Sequence, residues 1–191
     1  MFELRNLNFK YDAPIFRDAS CEIRSKRVGV VGGNGVGKTT LLHLMNGDLV
    51  PESGAIVLPG DVYFVDFSAK NYSYFTPREL ISLCRALDRF DDRFDALTAL
   101  LGMEGMLDTC LGKLSLGSLK KVFLMLGLAS KSEVLLLDEP FENLDEKTNR
   151  SLTGYLASCD KHLVIVSHNA PLLQACVEEI YEVTEGTLVK R

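Results

Sequence analysis

Between residues 1 and 23 apolar positions alternate with polar ones, as in Phe2-x-Leu4, Leu7-x-Phe9-x-Tyr11 and Ala19-x-Cys21-x-Ile23. A period of two belongs to half-buried strands, so this stretch predicts antiparallel strands joined at Asp12-Ala13-Pro14. Val28-Gly29-Val30-Val31 is apolar without alternation, the pattern of a buried strand. Helical spacing of Leu41, Leu42 and Met45 predicts a helix over 39–46 that stops at Gly47. Pro51-Glu52-Ser53-Gly54 reads as a turn, 55–58 as a strand, Pro59-Gly60 as a second turn and 62–65 as a further strand.

From about residue 66 to 114 no strand pattern occurs. Thr76-Pro77-Arg78-Glu79 combines an N-cap, proline at the first helical position and glutamate at the third. Leu80, Ile81, Leu83, Cys84 and Leu87 carry that helix onward. A second helix is expected over 90–101, with Asp91, Asp92 and Asp95 on its polar side. Leu114-Ser115-Leu116-Gly117-Ser118 opens an apolar helix reaching about Ala129. Then Val134-Leu135-Leu136-Leu137 forms a buried strand, with Asp138 and Glu139 at its carboxyl end. A helix over 147–158, a strand over 162–166, a helix over 170–177 and a strand pair around Glu185-Gly186 follow. Strand–helix alternation with polar residues at strand ends is the doubly wound α/β plan, whose ligands bind at the carboxyl edge. The expected organisation is one domain, with a core of 1–65 and 134–191 and an all-helical insertion over about 66–133.

Gly32, Gly37, Lys38 and Thr39 fit G-x-x-x-x-G-K-[ST], the phosphate-binding loop. Glycines let backbone N–H groups approach an anion, and the following helix start adds its positive end. Lys38 would add a charge at the β- and γ-phosphates, and the Thr39 hydroxyl would bind Mg²⁺. This predicts nucleoside triphosphate binding. Asp138 stands where such a site needs a carboxylate for Mg²⁺, and Glu139 where one can deprotonate water.

The net charge of −5 provides no basic footprint, so nucleic acid is not expected as a partner. No apolar run reaches the roughly 18–20 residues of a membrane span, and the N-terminal residues do not resemble a signal peptide. Five scattered cysteines, without a C-x-x-C pair, indicate reduced thiols and a cytoplasmic setting.

Taken together, these motifs resemble the ATP-binding cassette (ABC) ATPase family from about residue 1 to the C-terminus. Residues 32–40 resemble its Walker A motif, and 134–139 its Walker B motif with the catalytic glutamate. Leu114-Ser115-Leu116-Gly117-Ser118 is similar to the L-S-G-G-Q signature, Asn143-Leu144-Asp145 to the D-loop, and Ser167-His168 to the switch histidine. The resemblance implies the ABC ATPase fold: a P-loop NTPase core with a mixed, largely parallel sheet, N-terminal antiparallel strands and an inserted helical subdomain. It implies ATP and Mg²⁺ as ligands, with Glu139, His168 and Lys38 catalytic and Thr39 and Asp138 on the metal. Nucleotide contacts would come from Tyr11 (adenine), Gly32, Asn34, Gly35, Val36, Gly37, Lys38, Thr39, Thr40 and Asp145. Ser115 and Gly117 would act across a head-to-tail pair with a second ABC domain. Leu116 and Ser118 depart from the signature, although exporting branches similarly carry S-L-G. Phe67 takes the place of the family's Q-loop glutamine, so the oxygen ligand would come from Asp66, Ser68 or water.

The function so implied is the ATP-hydrolysing subunit of an ABC transporter, docked on a separate membrane permease at the cytoplasmic face. Export is favoured over import. The alternatives are an ABC ATPase of a soluble machine (cofactor assembly, translation or DNA repair) and a weakly hydrolysing regulatory subunit. The one-cassette length stands against the translation type.

Overall fold

The computed structural model describes residues 2–67 and 72–191. Strands β1 (Phe2–Lys10) and β2 (Pro14–Ile23) pair antiparallel around the expected turn. β3 (Arg27–Val31) leads into the glycine-rich loop and α1 (Lys38–Asn46), which ends at Gly47 as its spacing predicts. β4 (Ser53–Val57) pairs with the other edge of β1, so a three-stranded sheet runs β2-β1-β4. It begins two residues before the expected start, because Ser53 already pairs with Asn8 beyond a register shift in β1.

The second sheet has six strands. β5 (Val62–Val65), β6 (Val134–Asp138), β7 (His162–Val166), β8 (Glu179–Thr184) and β9 (Thr187–Lys190) join β3 in the order β5-β6-β7-β3-β8-β9. All neighbours are parallel except β8 and β9. β6 explains why a continuous apolar run reads as a buried strand. Val134 and Leu136 face a cluster shared with β1, β2 and α1, whereas Leu135 and Leu137 face the helices on the other side. Both faces are covered, so no polar alternation survives. Each fully buried aliphatic side chain is worth about 1.5–3 kcal/mol relative to an exposed one.

The helical layer contains α2 (Pro77–Arg85), α3 (Phe94–Leu101), α4 (Leu116–Ala129), α5 (Glu146–Ser158) and α6 (Ala170–Gln174). The helices of 66–133 share one apolar cluster with β6, β7 and α5. Thr76 caps α2 with the reciprocal Glu79 bond that the sequence motif predicts. Three boundaries differ from expectation. α2 stops at Arg85, short of Leu87, whose N–H donates back to the Cys84 carbonyl. α3 starts at Phe94 rather than 90, because Phe90 bridges to Ser130 and the Asp91 N–H donates to the Ala129 carbonyl. α6 stops at Gln174, and the Cys176 and Val177 N–H groups both fold back onto Leu173. Among the described residues, no helix is long and apolar enough to cross a membrane.

Asp145 forms the N-cap of α5. Its carboxylate accepts from the Thr148 N–H at 2.8 Å, the Thr148 hydroxyl at 2.7 Å and Lys121 Nζ at 3.1 Å. The two Thr148 bonds, followed by Lys121, hold its pKa well below the usual carboxylate range. Asp145→Ala is therefore expected to cost about 1 kcal/mol, or about 2–4 °C in melting temperature. The stabilisation is present above the unfolded-state pKa and is lost as pH falls through the depressed folded value. Thermal melts of parent and variant should thus converge in strong acid, and a constant gap would show that the cap is not ionic.

Candidate functional site

The parallel register gathers the expected site residues at one sheet edge. Asp138 lies opposite Val166, and Val166 opposite Val30, so β6, β7 and β3 deliver their carboxyl ends side by side. β5 ends beside them, with Val65 opposite Leu137. A cleft of about 750 Å³ opens along this edge, lined by Asn34, Gly35, Lys38, Thr39, Asp66, Phe67, Asp138, Glu139 and His168.

On the loop side, Gly37 precedes α1 with φ of 108°. A Cβ there would run into the Ile15 side chain, so only glycine fits both the left-handed backbone and the approach of β2. Lys38 is 8% exposed. Its Nζ donates to the carbonyls of Gly32 (3.0 Å) and Gly33 (2.8 Å), which keep the ammonium beneath the loop. Thr39 Oγ1 donates to Asp138 Oδ2 at 2.6 Å. A hydroxyl and a carboxylate at that separation are hard oxygen donors of the kind Mg²⁺ takes when phosphates and water complete its shell. Among the described residues, no group of three or more His, Cys, Asp or Glu side chains could hold a metal without such help. The pair therefore fits an ion that arrives with a nucleotide.

On the opposite wall, Glu139 has φ of 49°, rare for a residue other than glycine. Its N–H donates to the Val166 carbonyl at 2.8 Å. Oε2 accepts from the His168 N–H at 3.0 Å, and His168 Nε2 lies 3.4 Å from Oε1. Oε1 is buried without a hydrogen-bond partner among the described residues. Burial raises the pKa of Glu139, and the backbone bond and charge of His168 partly oppose that rise. A partly desolvated carboxylate on the wall of a cleft is suited to accept a proton.

Other expected residues lie elsewhere. Gly32 accepts from the Lys38 ammonium through its carbonyl, Val36 packs on the cluster of the three-stranded sheet, and Thr40 is half-buried in the first turn of α1. Tyr11 is 54% exposed at the end of β1, edge-on to Phe9, and does not line the cleft. Ser115 caps α4 through the Ser118 N–H, and Gly117 packs against the Asn143 carbonyl. Neither borders the cleft of its own chain. Asp66 lines it, while Ser68 lies outside the described residues.

Sequence reasoning missed His43, Glu142 and Lys120, which also line the cleft. For Lys120 a signal existed. It falls on the helical row of Leu124 and Leu128, so a lysine occupies the apolar face of α4.

The family model described as "ABC transporter" matches residues 16–142. A probable metal transport system ATP-binding protein of Chlamydia trachomatis is 30% identical, across 93% of this chain and 86% of that protein. A ribosome protection protein of Bacillus subtilis is 29% identical across 98% of this chain, which spans only 32% of that protein. Among solved structures, a dimeric post-hydrolysis ATP-binding cassette bound to ADP and Pi superposes with a TM-score of 0.87. The two share 19% identity, and the match covers 100% of this chain and 98% of the other. That likeness bears on the fold.

Proposed function

Since the chain belongs to the ABC transporter family of ATP-binding ATPases, we propose that it drives a separate membrane permease by hydrolysing ATP in the cleft at the carboxyl edge. The observation that carries this reading is the meeting of Lys38, the Thr39–Asp138 pair and the Glu139–His168 pair on facing walls of that cleft. The loop N–H groups and Lys38 bind the phosphates, with Lys38 exchanging its loop carbonyls for phosphate oxygens. Thr39 and Asp138 would hold a Mg²⁺ ion, which would supply charge neutralisation to the phosphates. Glu139 takes a proton from water as the water oxygen bonds to the γ-phosphorus. The bond from that phosphorus to the bridging oxygen then breaks, releasing ADP and phosphate. His168 orients the Glu139 carboxylate.

Ser115, Leu116 and Gly117 turn away from their own cleft, which supports a head-to-tail pair whose second copy completes the site. Leu116 is 73% exposed at the start of α4, where the N–H groups of a helix terminus attract anions. The Ser115-Leu116-Gly117 step resembles exporting branches of the family and supports export as the direction. A docking face for the permease is supported by an apolar groove of about 400 Å³ on α2, lined by Tyr63, Tyr72, Leu80, Leu83, Leu87 and Phe123. Leu83 and Leu87 are both more than half exposed there, an arrangement typical of interaction sites.

Fractionation of cells producing the protein tests this reading. The transporter role predicts recovery in the membrane fraction and co-purification with a polytopic membrane protein after detergent extraction. Recovery with ribosomes, without any membrane partner, would favour the soluble-machine alternative that the ribosome protection relative raises.

A further inference from the structure

Lys120 is 8% exposed, on the face of α4 that also buries Leu124 and Leu128. A buried ammonium needs partners to offset its lost hydration. Here Nζ donates to the Glu139 main-chain carbonyl at 2.5 Å and lies 4.6 Å from the centre of the Phe67 ring. Burial favours the neutral amine, and the carboxylates of Glu142, Glu139 and Asp138 oppose that preference. One ammonium thus joins three elements of the cleft: the segment after β5, the end of β6 and the first turns of α4. The residue it grips, Glu139, has φ of 49° and is one of five non-glycine residues with positive φ among the described residues. Such conformations persist only where the surroundings hold them.

We propose that Lys120 is a positioning residue for Glu139, fixing the left-handed turn that aims the Glu139 carboxylate into the cleft, with the Phe67 ring covering the ammonium. This rests on the reading of Glu139 as the base for ATP hydrolysis. Lys120 holds the peptide of Glu139 rather than the nucleotide, so its loss lowers turnover and leaves ATP affinity alone. Phe67 acts only through Lys120, so its effect depends on the lysine being present.

The test uses the purified full chain, with steady-state ATPase kinetics and equilibrium ATP binding. The proteins compared are the parent, Lys38→Ala, Lys120→Met, Lys120→Arg, Phe67→Leu and the Lys120→Met/Phe67→Leu double variant. A hydrogen bond from a charged donor is lost in Lys120→Met, so kcat is expected to fall about 10–100-fold. The ATP dissociation constant should stay within about twofold of the parent. Lys120→Arg, which keeps a cation and a donor, should recover most of the lost turnover. Phe67→Leu loses a cation–π contact and should slow turnover about threefold. The double variant should turn over no more slowly than Lys120→Met alone, because coupled residues do not add.

Unchanged kcat in Lys120→Met would overturn the proposal. So would a rise in the ATP dissociation constant that accounts for the loss, since Lys120 would then touch the nucleotide, and so would fully additive effects of the two substitutions. If Lys120→Met does not fold, Phe67→Leu decides: parental kcat there refutes the arrangement. A parent without ATPase activity removes the underlying reading and this inference with it. An active parent, silenced by Lys38→Ala and matched by Lys120→Met, removes this inference alone.

Discussion

Glu139→Gln is expected to bind Mg-ATP at least as well as the parent and to hydrolyse it about 10²–10⁴-fold more slowly, the range for loss of a general base. Glutamine keeps the shape of the side chain. Its carbonyl oxygen can still accept from the His168 N–H, as Oε2 does at 3.0 Å. What disappears is the second oxygen, Oε1, buried and without a hydrogen-bond partner among the described residues. An amide group in its place accepts no proton from water. Removing a negative charge near the triphosphate also reduces repulsion, so affinity holds or improves. With hydrolysis stopped, the ATP-bound pair should persist, and light scattering should report twice the 21.2 kDa chain mass. Adding Leu116→Glu to Glu139→Gln should return the protein to monomer without loss of ATP binding, because Leu116 is exposed and does not line its own cleft. Gly117 is a poorer probe, since any side chain there collides with Asn143 of the same chain. A Glu139→Gln protein that turns over at the parental rate would remove Glu139 from the mechanism. One that binds ATP yet stays monomeric would argue against self-pairing.

Lys38→Ala is expected to reduce ATP hydrolysis about 10²–10³-fold, the usual cost of removing one preorganised charge-stabilising group. The ammonium rests on the Gly32 and Gly33 carbonyls. Its removal costs the empty protein two hydrogen bonds but leaves the apolar clusters intact. The melting temperature should therefore move by only a few degrees while turnover collapses. ATP affinity should weaken as well, in contrast with Glu139→Gln, because Lys38 compensates charge in the bound state as well as in the transition state. A circular dichroism melt beside a phosphate-release assay separates the two effects. Turnover within a factor of two of the parent would contradict the phosphate-loop assignment.

Much of the fold was legible because its signals are local. β6 and β7 are apolar on both faces and end in polar residues, so an unbroken run followed by Asp138-Glu139 or Ser167-His168 marks both the strand and its functional end. The capping box at Thr76 is equally local. The misplaced start of α3 shows the limit. Phe90 and Asp91 suit a helix by spacing, yet they bind the end of α4, far along the chain. Asp145 shows another. A D-loop match draws attention to the nucleotide, whereas the side chain is engaged with Thr148 and Lys121. Lys120 and Lys121 are adjacent in the first turns of α4. Lys120 shares the helical row of Leu124 and Leu128, which marks it as the inward one. Its neighbours in the cleft, and the pairing of Lys121 with Asp145, are set by the non-local packing of α4.

The central claim is that this one cleft hydrolyses ATP. Phosphate release by the purified chain, titrated with ATP in the presence of Mg²⁺ and compared with Lys38→Ala and Glu139→Gln, tests it most directly. The account predicts saturable, Mg²⁺-dependent release by the parent, loss in both variants, and ATP binding retained in Glu139→Gln but weakened in Lys38→Ala. No release from the parent, or release that both substitutions leave unchanged, would contradict it.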